Sequence, residues 1–295
     1  MPDALTAPVT GSVRAANDFP WRRVLAKAGI GVATAAVVLF AVFPIYWMIV
    51  TAISDLGSSR STRQALWPTS FTLDNFIYVF TEVPFGLWLF NSAVVASLVA
   101  AGATIVGAMA GYSLARFNFR WTGVFVLVIL ATQLMPPTAI IIPIYRLALA
   151  TGLLNTYTGL VIANLTHVLP IAIFLLRGFF LSIPSEIEQA ALVDGCGQVG
   201  MLTRITMRMA APGLATVFIY AFVVTWNDLL FARTLSSSGS MWTAPVGLAS
   251  FQGEYYTLFE PLMAASLVFA LPVTVVFLLL QRHFVHGLTV GGVKG

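Results

Sequence analysis

The fold class this sequence predicts is an all-α membrane protein with about six transmembrane helices, and three observations carry it. Hydrophobic residues fill 59% of 295 positions and the mean hydropathy is +0.91, more apolar surface than a soluble fold can hide. Charged residues make up only 9% and are scattered singly between apolar runs. Six of those runs reach the roughly 20 residues that a bilayer core of about 30 Å demands of a helix.

In chain order the runs are Val24 to Ile53, Leu87 to Ala115, Thr122 to Arg146, Tyr157 to Phe180, Ala211 to Arg233 and Leu258 to Arg282. The first is long enough to tilt or to extend past the membrane. Ahead of it, residues 1–23 are polar and carry Arg14, Arg22 and Arg23. The run behind them is too long for a signal-peptide core, so a retained cytoplasmic tail is expected. Between the first two runs, Asp74, Asn75, Phe76 and Phe80 predict a short helix at the outer interface, with an irregular aromatic loop as the alternative. Gly107 and Gly111 in the second run fit the small-xxx-small pattern of close helix packing, within the chain or between chains.

Orientation follows from Lys and Arg. With the N-terminus inside, 11 of the 15 fall in inner segments and 4 in outer ones, which puts both termini in the cytoplasm. The formal charge of +4 forms no basic stripe, so nucleic-acid binding is not expected. Cys196 is the single cysteine, which excludes an intramolecular disulfide and a thiolate metal cluster and leaves a small packing residue.

The inner segment 181–210 is long for a loop and holds most of the interior acids. Pro184 suits a helix entrance, Ser185 with Glu188 spells a capping box, and Gly195 can end the helix in a left-handed conformation. A cytoplasmic helix from Ser185 to Asp194 is therefore expected. On it Ile187, Ala190, Ala191 and Asp194 share a face. The paired alanines permit close approach of another protein, whereas a helix resting on headgroups would carry bulky apolar anchors and a Lys-rich face, which are lacking here.

Glu188-Gln-Ala-Ala-Leu-Val-Asp-Gly195, followed by Ile205 and Pro212, resembles the EAA motif of ABC importer permeases. Trp226-Asn-Asp-Leu-Leu230 and the ending Gly287-Leu-Thr-Val-Gly-Gly-Val-Lys-Gly295 are similar to the G-type subunit of the maltose transporter and its carbohydrate-importer relatives. Cys196 stands where that family often has alanine. The resemblance implies the type I importer permease fold, with a permease domain over 24–286 and a cytoplasmic tail over 287–295, in a bacterial inner membrane. It also implies a heterodimer with a second permease subunit, two ATPase subunits and an extracytoplasmic solute-binding protein. The chain itself has no P-loop signature. ATP and Mg are thus expected on the partner ATPase, with no cofactor or metal held by this chain.

The resemblance assigns Glu188, Ala190, Ala191, Asp194 and Gly195 to ATPase coupling, and it sends Gly291, Gly292 and Lys294 of the tail between the ATPase subunits. Solute is expected to cross between the two permeases, past the middle of spans three to five. Gln133, Asn164, Thr166, Tyr220, Trp226 and Asn227 could offer amides, hydroxyls and ring faces to a sugar. Each could equally be a packing or interface residue. Asp228 and His167 are the ionisable groups inside the runs, with solvation, helix packing or a carbonyl freed by Pro170 as alternatives to solute contact. So few interior charges argue against an ion-coupled carrier, and His167, His283 and His286 do not assemble the metal site of a membrane enzyme. The expected cargo is a di- or oligosaccharide, with a glycerol phosphodiester or polyol as the alternative.

Overall fold

The computed structural model describes residues 20–57, 67, 71–117, 120–253 and 257–290, with side chains described from Lys27 to Leu279 inside the terminal helices. The N-terminal tail and the tail residues Gly291, Gly292 and Lys294 lie outside the described residues. The backbone divides into two units, Met1–Met48 and Ile49–Gly295. The first unit contains most of α1 (Pro20–Ala52), which has Pro44 within it and the rings of Phe43 and Trp47 6.2 Å apart.

The second unit begins with the end of α1 and with α2 (Asp74–Thr81). The short helix expected here is present, but the residues it buries are Asn75 and Val79, while Ile77 and Phe80 are exposed. Asn75 Nδ2 donates to the Ala52 carbonyl at 2.9 Å and the Ser54 carbonyl at 2.7 Å, tying α2 to the end of α1.

α3 (Phe85–Arg116) and α6 (Tyr157–Ser182) are continuous spans and form the centre of the unit. Their contact is set by small residues. A Cβ on Gly107 would lie 3.3 Å from Ala172 Cβ, and one on Gly111 would lie 2.9 Å from the backbone nitrogen of Arg177. The small-xxx-small pattern is thus used inside the chain, and it brings two helix backbones together. Val99, Ala103, Leu160, Val168 and Leu176 fill the seam.

Two spans expected as single helices are broken. The third divides into α4 (Thr122–Ala131) and α5 (Pro137–Ala150), with Thr132–Leu134 between them as a 3-10 turn and a bend of 96°. The cause is Pro136-Pro137: neither has an N–H to continue the ladder, and Pro136 takes an extended ψ of 136°. The fifth ends its helix early. α10 (Ala211–Trp226) stops at Asn227, and a short α11 (Leu230–Leu235) follows.

After α6, α7 (Ser185–Val193) leads into a helical stretch the sequence did not predict. It runs from Gln198 to Met209 through α8 (Gln198–Gly200), a π-helical turn at Met201–Thr206 and α9 (Met207–Met209), then bends 70° into α10. α12 (Ala244–Ser250) lies between α11 and α13 (Phe259–Val290), which closes the unit. α13 runs past Gly287, so the expected domain boundary at residue 286 falls within a helix. Among the described residues there is no strand, only an isolated bridge between Gln252 and Thr257.

Candidate functional site

α7 starts where Pro184 fixes φ at −59° and places Glu186 and Glu188 in the first turn, where carboxylates favour the positive end of the helix dipole. It ends as a Schellman turn. Gly195 takes φ +84°, its N–H donates to Leu192 O at 3.1 Å, and the Cys196 N–H donates to Ala191 O at 3.0 Å. The capping box, however, does not form. Ser185 lies inside the helix, with Pro184 at the N-cap and no side-chain cap bond, and the Glu188 carboxylate is engaged elsewhere.

Glu188 turns inward and is 7% exposed. Arg116, at the C-terminal end of α3, holds it through both carboxylate oxygens, Nε to Oε2 at 2.8 Å and Nη2 to Oε1 at 3.2 Å. The same Nη2 donates to Ile183 O at 2.9 Å, and Thr206 Oγ1 donates to Glu188 Oε1 at 2.9 Å. A forked, charge-assisted pair of this kind fixes orientation as well as distance. One carboxylate therefore joins α7 to the end of α3 and to the π-helical turn that leads into α10.

The remaining coupling residues divide between two faces. Ala191 is 6% exposed and packs inward with Glu188, whereas Ala190, Asp194 and Gly195 are exposed. The expectation of adjacent alanines on one open face is corrected. Consecutive helical residues point about 100° apart, and the buried Glu188–Ala191 line takes the second alanine with it. What α7 offers outward is Ile187, Ala190 and Asp194.

At mid-span, both breaks meet α6. Gln133, in the turn between α4 and α5, donates Nε2 to the His167 carbonyl at 3.2 Å. Asn164 is buried and donates Nδ2 to Leu160 O at 3.0 Å and to Asp228 Oδ2 at 3.3 Å. Asp228 in turn accepts from the N–H groups of Phe231 at 3.2 Å and Ala232 at 3.1 Å, so it caps α11 and closes the break after Asn227. The His167 ring lies 6.5 Å from that of Phe231.

Gln133, Asn164 and Asp228 are thus gathered on one stretch of α6. Thr166 and Asn227 are exposed, each with its donor satisfied by its own helix, at Ala163 O and Val223 O. Trp226 is 1% exposed, stacked between Phe222 at 5.5 Å and Phe269 at 5.4 Å. It is a core residue with no face for a solute ring, which is the packing alternative of the sequence reading. Tyr220 is half-buried and packs against that same core.

Some residues of the site carried no local signal. Arg116 entered only the orientation count, and Thr206 not at all. Near the N-terminal end of α3, Asn91 donates to Ser240 O at 2.9 Å and Trp242 O at 2.8 Å, and accepts from Tyr157 Oη at 2.6 Å. Trp88 Nε1 donates to Gly239 O at 2.9 Å. Asn155, at φ 55°, accepts from the Ser237 and Ser238 N–H groups. Together they lash the loop before α12 to α3 and α6. A lone asparagine in an apolar run was the available clue.

The sequence profile of the Binding-protein-dependent transport system inner membrane component matches residues 103–290. The chain is 34% identical over 276 residues to the Inner membrane ABC transporter permease protein YcjP of Escherichia coli, covering 93% of this chain and 99% of that one. It is 33% identical over 266 residues to the Arabinooligosaccharides transport system permease protein AraQ of Halalkalibacterium halodurans, covering 88% and 94%. Among solved structures, it resembles a chain of a bacterial ABC transporter involved in the import of the acidic polysaccharide alginate. That likeness has a TM-score of 0.77 at 22% identity, over 90% of this chain and 98% of that one.

Proposed function

We propose, from the established premise that the chain belongs to the family of inner membrane components of binding-protein-dependent transport systems, that it is one permease subunit of an ATP-driven sugar importer. It forms half of the translocation path, beside a second permease subunit. The cargo class rests on relatives such as the arabino-oligosaccharide permease, which matches almost end to end. The chain is a multi-pass protein of the inner membrane, and the distribution of Lys and Arg supports cytoplasmic termini.

The observation that carries the mechanism is the carboxylate of Glu188 held at once by Arg116 and Thr206. A helix outside the spans is useful for energy coupling only if its displacement reaches the spans. Here α7 is latched to α3 directly and to α10 through the Gln198–Met209 stretch. The exposed side of α7, with Ala190 and Asp194, is left for a cytoplasmic ATPase subunit that binds ATP and Mg. Closure of the ATPase pair then pulls α7 and moves α3 and α10 together, a rigid-body change biased by ATP. The tail beyond Val290, with Gly291, Gly292 and Lys294, reaches toward the same subunits. Solute passes the α6 stretch where Gln133, Thr166 and Asn227 lie near both helix breaks.

The test is uptake into vesicles holding this chain, its partner permease, the ATPase subunits and the loaded binding protein. Labelled oligosaccharide should accumulate only with internal ATP. Accumulation driven by an ion gradient in the absence of the ATPase subunits would replace this reading with an ion-coupled carrier.

A further inference from the structure

Three helix ends meet at the inner edge of the second unit and leave a cleft of about 470 Å³, lined by Leu114, Phe117, Arg120, Thr122, Arg177 and Leu181 among others. Arg177 lies on α6 about 7–8 Å before the helix end at Ser182. Its Nε donates to Leu114 O at 3.3 Å, which leaves its two terminal amino groups for a ligand. Arg120 stands on the other wall, its guanidinium 6.0 Å from the ring centre of Trp121. Among the described residues neither arginine has a carboxylate within ion-pair distance; the nearby acid, Glu188, is committed to Arg116. A Cβ built on Gly123, which lines the cleft, would touch nothing within 4 Å, so the cleft is open on the side where α4 begins. Beyond its mouth Val124, Phe125 and Phe174 are exposed along α4 and α6.

We infer that this cleft binds the headgroup of an anionic phospholipid of the inner leaflet. Two planar, permanently charged donors facing one space suit a phosphodiester, which accepts forked hydrogen bonds from guanidinium groups. Basic pockets between spans on the cytoplasmic side are the places where anionic lipids concentrate. The apolar stripe that continues from the cleft along α4 and α6 gives the acyl chains a wall, which a free phosphate would not use. Trp121 at the rim adds the amphipathic ring typical of the interface. The inference rests on the membrane placement of the chain and not on the identity of the cargo.

The experiment uses the complete transporter, delipidated in detergent and then titrated with phosphatidylglycerol or phosphatidylcholine, with retained lipid counted by native mass spectrometry. The wild type should retain phosphatidylglycerol in preference to phosphatidylcholine by about fivefold or more, as expected for a basic pocket. The Arg120→Gln/Arg177→Gln variant should lose that preference, and Arg120→Lys/Arg177→Lys should keep part of it. If the double variant fails to assemble, Arg120→Gln alone decides, because Arg120 is exposed and its one ring contact is with its chain neighbour Trp121; it should at least halve the retention. Millimolar glycerol 1-phosphate should not displace the lipid. Equal retention by wild type and variant would overturn the inference, as would displacement by glycerol 1-phosphate, or cross-linking from position 120 to a partner subunit in place of lipid.

Discussion

Removing one member of the Glu188 cluster strands the other. Arg116 and Glu188 have side chains 14% and 9% exposed, so Glu188→Ala leaves a guanidinium with little water and Thr206 with only the weak acceptor Met201 Sδ at 3.3 Å. The expected loss is about 3 kcal/mol, the lower end for breaking a buried pair because both groups keep some solvent contact. It would be read as a lower Tm of the purified complex. Replacing both charges, Glu188→Leu with Arg116→Met, should recover most of that stability, since the desolvation penalty disappears with the charges. Transport should stay impaired, because apolar packing does not fix the direction of pull; recovery of both would make the pair a matter of stability alone. The two alanines separate in the same way. Ala191→Arg forces a long cation into a buried site and should destabilise the chain, whereas Ala190→Arg, at an exposed position, should leave Tm within about 1 kcal/mol equivalent and release the ATPase subunits in pull-down. Stoichiometric ATPase retention by Ala190→Arg would remove that face from the contact.

At the level of elements, the α3–α6 seam depends on the absence of a side chain. Gly111→Val would place a Cβ about 2.9 Å from the Arg177 backbone nitrogen, where neither backbone can yield without the helices parting. A cost of roughly 1–3 kcal/mol follows from such overpacking, checked by thermal unfolding, with insertion into the membrane preserved. That seam was legible in the sequence because run length and small-residue spacing are local properties, and for the same reason so were the six apolar runs and the left-handed stop at Gly195. The breaks were half legible. Pro136-Pro137 stands inside a run that length alone marks as one span, so a reading by run length passes over it, while the stop at Asn227 depends on Asp228 capping α11 with Asn164 of another helix as its partner. The latch was not legible at all: Arg116 and Glu188 are 72 positions apart, and nothing near either residue names the other. The capping-box signal even pointed Glu188 to the wrong partner, since a local bond to a backbone N–H lost to a buried guanidinium.

For the whole molecule, the question is whether energy applied at the inner side reaches the solute path, and the covalent end of the chain offers a test separate from α7. α13 continues to Val290, so a truncation that spares the span must begin at Gly291. The three glycines of the last five residues make an isolated helix there unfavourable, each costing about 1 kcal/mol relative to alanine. A glycine-rich segment of that kind contributes little to folding and can follow the outline of a partner. Deleting Gly291–Gly295 should therefore leave expression, membrane insertion and Tm unchanged. If the tail reads the state of the ATPase pair, the deletion lowers the response of ATP hydrolysis to the loaded binding protein while basal hydrolysis persists. The measurement is ATPase rate in reconstituted vesicles with and without the sugar-loaded binding protein, compared between full-length and truncated complexes. Full stimulation in the truncated complex would leave the latch of α7 as the sole route of coupling, since no other described inner segment joins an exposed helix to two spans through a single buried carboxylate.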